Sequence, residues 1–210
     1  MKLVKASATI LASTLNLEQT IELAGRVCYK SEDKINETSA AEFVSKIRSI
    51  NHESVLEHGS ITVRFICDRG VSHELVRHRI ASFSQESTRY CNYSKDKFDN
   101  GITFIESCFW NTNSPDDINK YNAWVHACEA AEKTYLHLVQ CGATAQEARS
   151  VLPNSLKTEV VMTANPREWR HVFKLRAAKA AHPQMREIMV PLLVEFKSLW
   201  PSLFNDIEVA

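Results

Sequence analysis

The chain has only five glycines, Gly25, Gly59, Gly70, Gly101 and Gly142, and no two are close together. A glycine-rich dinucleotide turn and a P-loop both need closely spaced glycines so that backbone N–H groups can reach a phosphate, and neither can be drawn here. A Rossmann domain is thereby excluded, and any phosphate must be held by side chains and helix N-termini. An excess of one charge is also lacking. The 25 basic residues balance 25 acidic ones, so the overall charge points neither to a nucleic-acid coat nor to an anionic membrane surface. No stretch approaches the roughly 18 to 20 apolar residues of a membrane span, and Met1 to Leu17 lack the basic flank and apolar run of a secretion signal. The six cysteines are scattered, with no CxxC pair and no histidine at ligand-like spacing. No metal site is expected, the thiols read as reduced small apolar residues, and the simple reading is a cytoplasmic protein.

With 210 residues, 44% of them apolar and 24% charged, the chain should bury a core and form a single domain over residues 1–210. Met1 to Ala8 suits a short strand, and Ile21, Leu23, Ala24 and Val27 recur at helical spacing over Glu18 to Tyr29. Ser39-Ala40-Ala41-Glu42 has the spacing of a capping box ahead of Phe43, Ile47 and Ile50. Ser60 to Cys67 alternates with the period of a half-buried strand, and Asp68-Arg69-Gly70 turns it into a short helix over Val71 to His78. Loops are expected at Tyr93 to Asn100 and at Asn111 to Asp117, and a strand at Ile102 to Ile105. Ser114-Pro115-Asp116-Asp117 supplies a cap, an N1 proline and first-turn acids for the longest helix, which should stop near Gly142. A short helix at Ala145 to Val151, a strand at Leu156 to Thr163, a helix from Asn165 and a last helix from His182-Pro183, bent at Pro191, complete the chain. The fold class is α+β: helix-rich, with a central, mostly antiparallel sheet and flanking helices.

The densest chemistry lies in Arg77-His78-Arg79 and Arg89, interleaved with Ser82, Ser84, Ser87 and Thr88. Guanidinium forks match phosphate oxygens and hydroxyls fill the remaining acceptor positions, so this is a reasonable anion site. As bare chemistry, a basic triplet is more often a solvated face. The full spacing RHRxxSxxxxSxRY changes that weight, because it resembles the signature of flavin-dependent thymidylate synthases at every fixed position. His52 to His58, Ala148 to Pro153, Asn165-Pro166-Arg167 with His171, and Leu175-Arg176-Ala177 resemble further segments of that family, in its order.

Carried over residue by residue, the resemblance implies a flavin held by His52, Ser54, Glu57, Arg77, His78, Arg79, Ile80, Gln85, Asn165, Arg167 and His171. It implies dUMP held by Glu74, Arg77, Gln85, Glu86, Ser87, Thr88, Arg89, Arg149 and Arg176. Arg176 is the residue expected to activate the pyrimidine, since a preorganised cation stabilises negative charge developing on the ring when C5 is methylated. Ser87 is the second catalytic candidate, with substrate positioning favoured over nucleophilic attack because the sequence places no base beside it. Glu74 stands where the family often has glutamine, and His171 where it often has asparagine. The implied reaction is reductive methylation of dUMP to dTMP. The resemblance further implies 5,10-methylenetetrahydrofolate as carbon donor, NADPH as the source of reducing equivalents through bound FAD, and a homotetramer with shared active sites. Two rivals stand beside it: a flavin-dependent nucleotide reductase without methyl transfer, and a non-enzymatic nucleic-acid-binding module. His126 and His137, the four tryptophans and Cys91 read as structural residues.

Overall fold

The computed structural model describes residues 1–110 and 114–209; the Asn111 to Asn113 part of the expected loop lies outside them. The chain divides into two compact units. Unit 1 comprises Met1–Ser7, Phe65–Arg77 and Ser84–Val160, and unit 2 comprises Ala8–Arg64, His78–Phe83 and Val161–Ala210. The strands are β1 (Lys2–Val4), β2 (Ser7–Ser13), β3 (Ile61–Asp68), β4 (Ser82–Gln85), β5 (Thr103–Ile105) and β6 (Lys157–Ala164). The helices are α1 (Leu17–Tyr29), α2 (Ser39–Ser49), α3 (Arg69–Leu75), α4 (Pro115–Gln140), α5 (Ala145–Ala148), α6 (Pro166–Arg176), α7 (Pro183–Leu199) and α8 (Pro201–Phe204). The expected α+β class holds.

One sheet has the order β2-β3-β6-β4 and a second pairs β1 with β5 in parallel, Lys2 opposite Thr103. β3 and β6 run antiparallel: Thr62 Oγ1 meets Thr163 Oγ1 at 2.9 Å near one end, and the Arg69 N–H donates to Leu156 O at 3.1 Å beyond the other. The alternation read in β3 is real, with Ile61, Val63, Phe65 and Cys67 fully buried.

In unit 1 the long helix α4 begins at the expected cap, where the Asp117 N–H donates to Ser114 Oγ at 3.1 Å. It ends before Gly142, whose φ of +93° suits a residue without Cβ. Its Cys128 and Tyr135 pack with Tyr93, Ile102, Phe104, Ala148 and Leu156 into a core that Trp124 flanks. In unit 2 α1 packs on α2, and Trp169 and Phe173 of α6 meet Phe196 of α7 and Phe204 of α8, with ring centroids 4.9 to 5.9 Å apart.

Three expectations need correction. Ser39 is the first residue of α2 rather than its cap, and its hydroxyl donates instead to the buried carboxylate of Glu22 at 2.8 Å. A cap would use the hydroxyl oxygen as an acceptor, and that oxygen instead accepts from the Asn36 N–H at 3.0 Å, ahead of the helix. The helix expected over Val71 to His78 starts at Arg69, because Asp68 Oδ1 caps it by accepting from the Val71 N–H at 2.6 Å, and it ends at Leu75. The strand expected at Met1 to Ala8 is two strands, the second reaching Ser13. Ser82 to Gln85, a stretch of the basic motif to which no element is assigned above, is β4, and just past it the Glu86 N–H donates to Glu159 O at 2.9 Å.

Candidate active site

In unit 1, α3, the segment after β4, and α5 with the turn that follows it line a cleft of about 450 Å³. Arg69, His73, Thr88, Gln146, Arg149 and Asn154 face it, with Leu152 and Leu156 as apolar wall, and no carboxylate is among its lining residues. Arg149 Nη1 donates to the buried Thr88 Oγ1 at 3.2 Å, and Arg89 Nε donates to Gln146 Oε1 at 3.0 Å. Two of the expected nucleotide residues, Thr88 and Arg149, are therefore in contact, and a third, Arg89, is tied to a cleft residue. The cleft offers two guanidinium groups, a hydroxyl and side-chain amides to an anion, and its volume is that of a small-ligand site.

Other expected residues are engaged within unit 1. Gln85 Nε2 donates to Ser72 Oγ at 2.9 Å and to Thr158 Oγ1 at 3.3 Å. Both oxygens of Glu86 accept, one from Tyr93 OH at 3.0 Å and one from Lys157 Nζ at 3.1 Å. Ser87 Oγ accepts from the Arg89 N–H at 3.4 Å, a turn contact that orients the hydroxyl. Burial, with Glu86 nearby, pushes the Cys91 thiol up, which suits a structural residue. Arg77 is exposed and Glu74 half-buried, both also in unit 1.

Unit 2 gathers the remaining candidates. The turn Glu53–Glu57 lies against α6: Arg167 Nη1 bonds Glu57 Oε1 at 2.5 Å, and Glu53 lies 3.7 Å from Arg167 and 3.8 Å from Arg170. His52 Nδ1 is 2.9 Å from Tyr29 OH, and Ser54 is exposed. Asn165 caps α6, its Oδ1 accepting from the Glu168 N–H at 2.8 Å, which leaves its amide N–H₂ for another acceptor. Arg79 and His171 are exposed, as is Ile80 at 71%. A solvent-facing cation, imidazole and large apolar side chain fit a ligand that is part anion and part flat apolar ring.

His78 is unlike its neighbours in the motif. It is 4% exposed, and Arg176 Nε donates to its Nε2 at 3.1 Å while its Nδ1 lies 3.2 Å from Glu168 Oε1. Burial first, then Arg176 and His171, push its pKa down to about 4, so the ring is neutral near pH 7. The His171 ring meets it edge-on at 5.6 Å.

Sequence reasoning did not single out Arg69, His73, Gln146 or Glu168. Arg69 and His73 stand four apart on α3, and Glu168, His171 and Arg176 recur near one face of α6, so helical periodicity was the available signal. Which side chains pair within each unit is decided by tertiary structure.

The family described as thymidylate synthase complementing protein matches residues 9–202. The chain is 35% identical over 204 residues to a flavin-dependent thymidylate synthase of Geobacter sulfurreducens, covering 94% of this chain and 84% of that one. It is 32% identical over 194 residues to the flavin-dependent thymidylate synthase of Pyrococcus abyssi, covering 89% and 77%. Among solved structures it resembles the UMP/dUMP methylase PolB of Streptomyces cacaoi bound with 5-Br dUMP, with a TM-score of 0.78, 25% identity, and 98% and 96% of the two chains covered.

Proposed function

The chain belongs to the flavin-dependent thymidylate synthase family and is a dUMP methyltransferase, and we propose that it completes the reaction with FAD, NADPH and 5,10-methylenetetrahydrofolate. The observation that carries the reading is the carboxylate-free cleft, in which Arg149 and Thr88 are joined beside Arg69 in a chain of this family. The nucleotide's phosphate takes the two guanidinium groups and the Thr88 hydroxyl, with Arg89, Ser87 and Gln85 ordering the loop around it. Glu86 acts through Lys157 and Tyr93, holding that loop rather than meeting a dianion. Arg176 is the proposed activating group, because a cation beside the pyrimidine stabilises the negative charge that develops on N3 and the carbonyl oxygens as C5 becomes nucleophilic.

Bound flavin supplies the redox chemistry. His52, Ser54, Arg79, Ile80, Asn165 and His171 would hold it. Arg167 and Glu57 neutralise one another and brace the turn to α6. The match through residues 9–202 runs across both units, which supports reading the chain as one functional domain. Assembly into a homotetramer in the cytoplasm is part of the proposal. Leu11, Leu15, Leu23 and Val27, all close to half exposed or more, supply apolar surface for it.

The test is tritium release from C5-labelled dUMP by purified protein whose visible spectrum shows bound flavin. Folate-dependent release supports the reading. A yellow protein that oxidises NADPH without release is a reductase, and a colourless protein that binds polynucleotide with steep salt dependence is the nucleic-acid module.

A further inference from the structure

Arg176 carries the activation step in the proposed function, yet an arginine side chain has four freely rotating bonds and aims its charge only if something fixes it. The contacts around His78 show what does. Arginine has donors only, so His78 Nε2, 3.1 Å from Arg176 Nε, must be an unprotonated acceptor. In a neutral imidazole the proton then sits on Nδ1, which faces Glu168 Oε1 at 3.2 Å and donates to it. The His78 side chain is 3% exposed and that of Glu168 8%, so water does not compete for either bond. Glu168 is itself placed by the cap of α6, where its backbone N–H donates to Asn165 Oδ1 at 2.8 Å. Glu168 and Arg176 lie eight residues apart on that helix, roughly 12 Å along its axis. The imidazole bridges two side chains reaching toward each other along one face.

We propose that Glu168 and His78 form a hydrogen-bond relay that positions Arg176, with the Nδ1–H tautomer of His78 as its obligatory link. This rests on the reading of Arg176 as the activating group. Glu168 and His78 act through Arg176 and are positioning residues.

The donor atoms of His78, Glu168 and His171 also lie within 4.8 Å of one another, a spacing a divalent metal could use. The relay accounts for the cluster better. Both nitrogens of His78 are committed, one to a permanent cation, and that guanidinium would repel a second cation beside it.

Three readouts on the flavin-loaded enzyme test the relay. A neutron structure of the unaltered protein should show deuterium on His78 Nδ1 and none on Nε2; the opposite tautomer overturns the proposal, whatever any variant does. Glu168→Ala should lower kcat about tenfold, the size expected for one lost hydrogen bond to a charged group, with KM for dUMP and flavin content within about twofold. Glu168→Gln, whose amide oxygen still accepts from Nδ1–H, should recover kcat to within about threefold of the unaltered enzyme. Unchanged kcat in Glu168→Ala, or a Glu168→Gln variant no better than Glu168→Ala, overturns the relay. Arg176→Ala runs in parallel. If it keeps full turnover, the activation role falls while the tautomer result still stands or falls by itself.

Discussion

An arginine contributes to a site according to what its guanidinium already holds. Arg167 is half exposed yet bonded to Glu57, and Arg170 is buried against Asp206 at 2.7 Å, so both are committed to the fold. Arg149 is bonded to a neutral hydroxyl and keeps its charge for a ligand. Arg149→Ala should therefore raise the KM for dUMP roughly ten- to hundredfold, the worth of a charged hydrogen bond to phosphate, with the flavin spectrum unchanged. An unchanged KM in steady-state kinetics would remove the cleft from substrate binding. His78 shows the reverse case. It sits between the two exposed arginines of the motif, but it is buried, neutral and turned toward α6.

At the scale of the element, α6 and its cap do three things with twelve residues. Its inner face fills the core with Trp169, Val172 and Phe173; its cap is Asn165; and its polar face carries Glu168, His171 and Arg176. The two roles assigned to Asn165 can be separated, because the cap uses the side-chain oxygen and a flavin acceptor would use the amide N–H₂. Asn165→Ala should cost about 1 kcal/mol in urea unfolding and also lose flavin. Asn165→Asp keeps the capping oxygen, so it should unfold near the unaltered midpoint while retaining less flavin, read as absorbance per protein. Equal flavin retention in the Asp variant would confine Asn165 to the cap.

For the whole molecule, acid should act in two windows. His78 in the unfolded chain takes a proton near its ordinary pKa of 6.5, whereas the folded ring refuses it until about 4, so stability falls as pH drops from 6.5 to 4. The Asp206 carboxyl is held down at about 2 by Arg170, and then by Arg48, against an ordinary value of 3.8; its contribution is full above that value and is lost as pH falls from about 4 to 2. Urea midpoints measured from pH 7 to 2 should decline through both windows, and Asp206→Asn should flatten only the lower one. Leu23 and Val27, one turn apart on the exposed side of α1, belong to this scale too. Leu23→Glu should shift light-scattering mass below that of a tetramer while changing the subunit's own unfolding free energy by no more than about 0.5 kcal/mol. A tetramer that survives it does not use this face.

Sequence alone determined the features with a local cause. The alternation of β3, the Ser114 and Asn165 caps, the glycine stop after α4 and the full motif spacing are each written in a few adjacent residues, and together they gave the α+β class and the family. Only tertiary structure decided the rest, because the deciding partner lies far along the chain. Ser39 answers Glu22, seventeen residues away, rather than its own helix. Ser82 to Gln85 becomes a strand because a backbone from another part of the chain pairs beside it, not because of its own polar sequence. The relay joins residues 90 and 98 positions apart, and a proton's place on one imidazole follows from an arginine that no local pattern connects to it. Hydrogen-bond satisfaction in a buried site is settled by whichever donor folding delivers, and distance along the chain has no bearing on it.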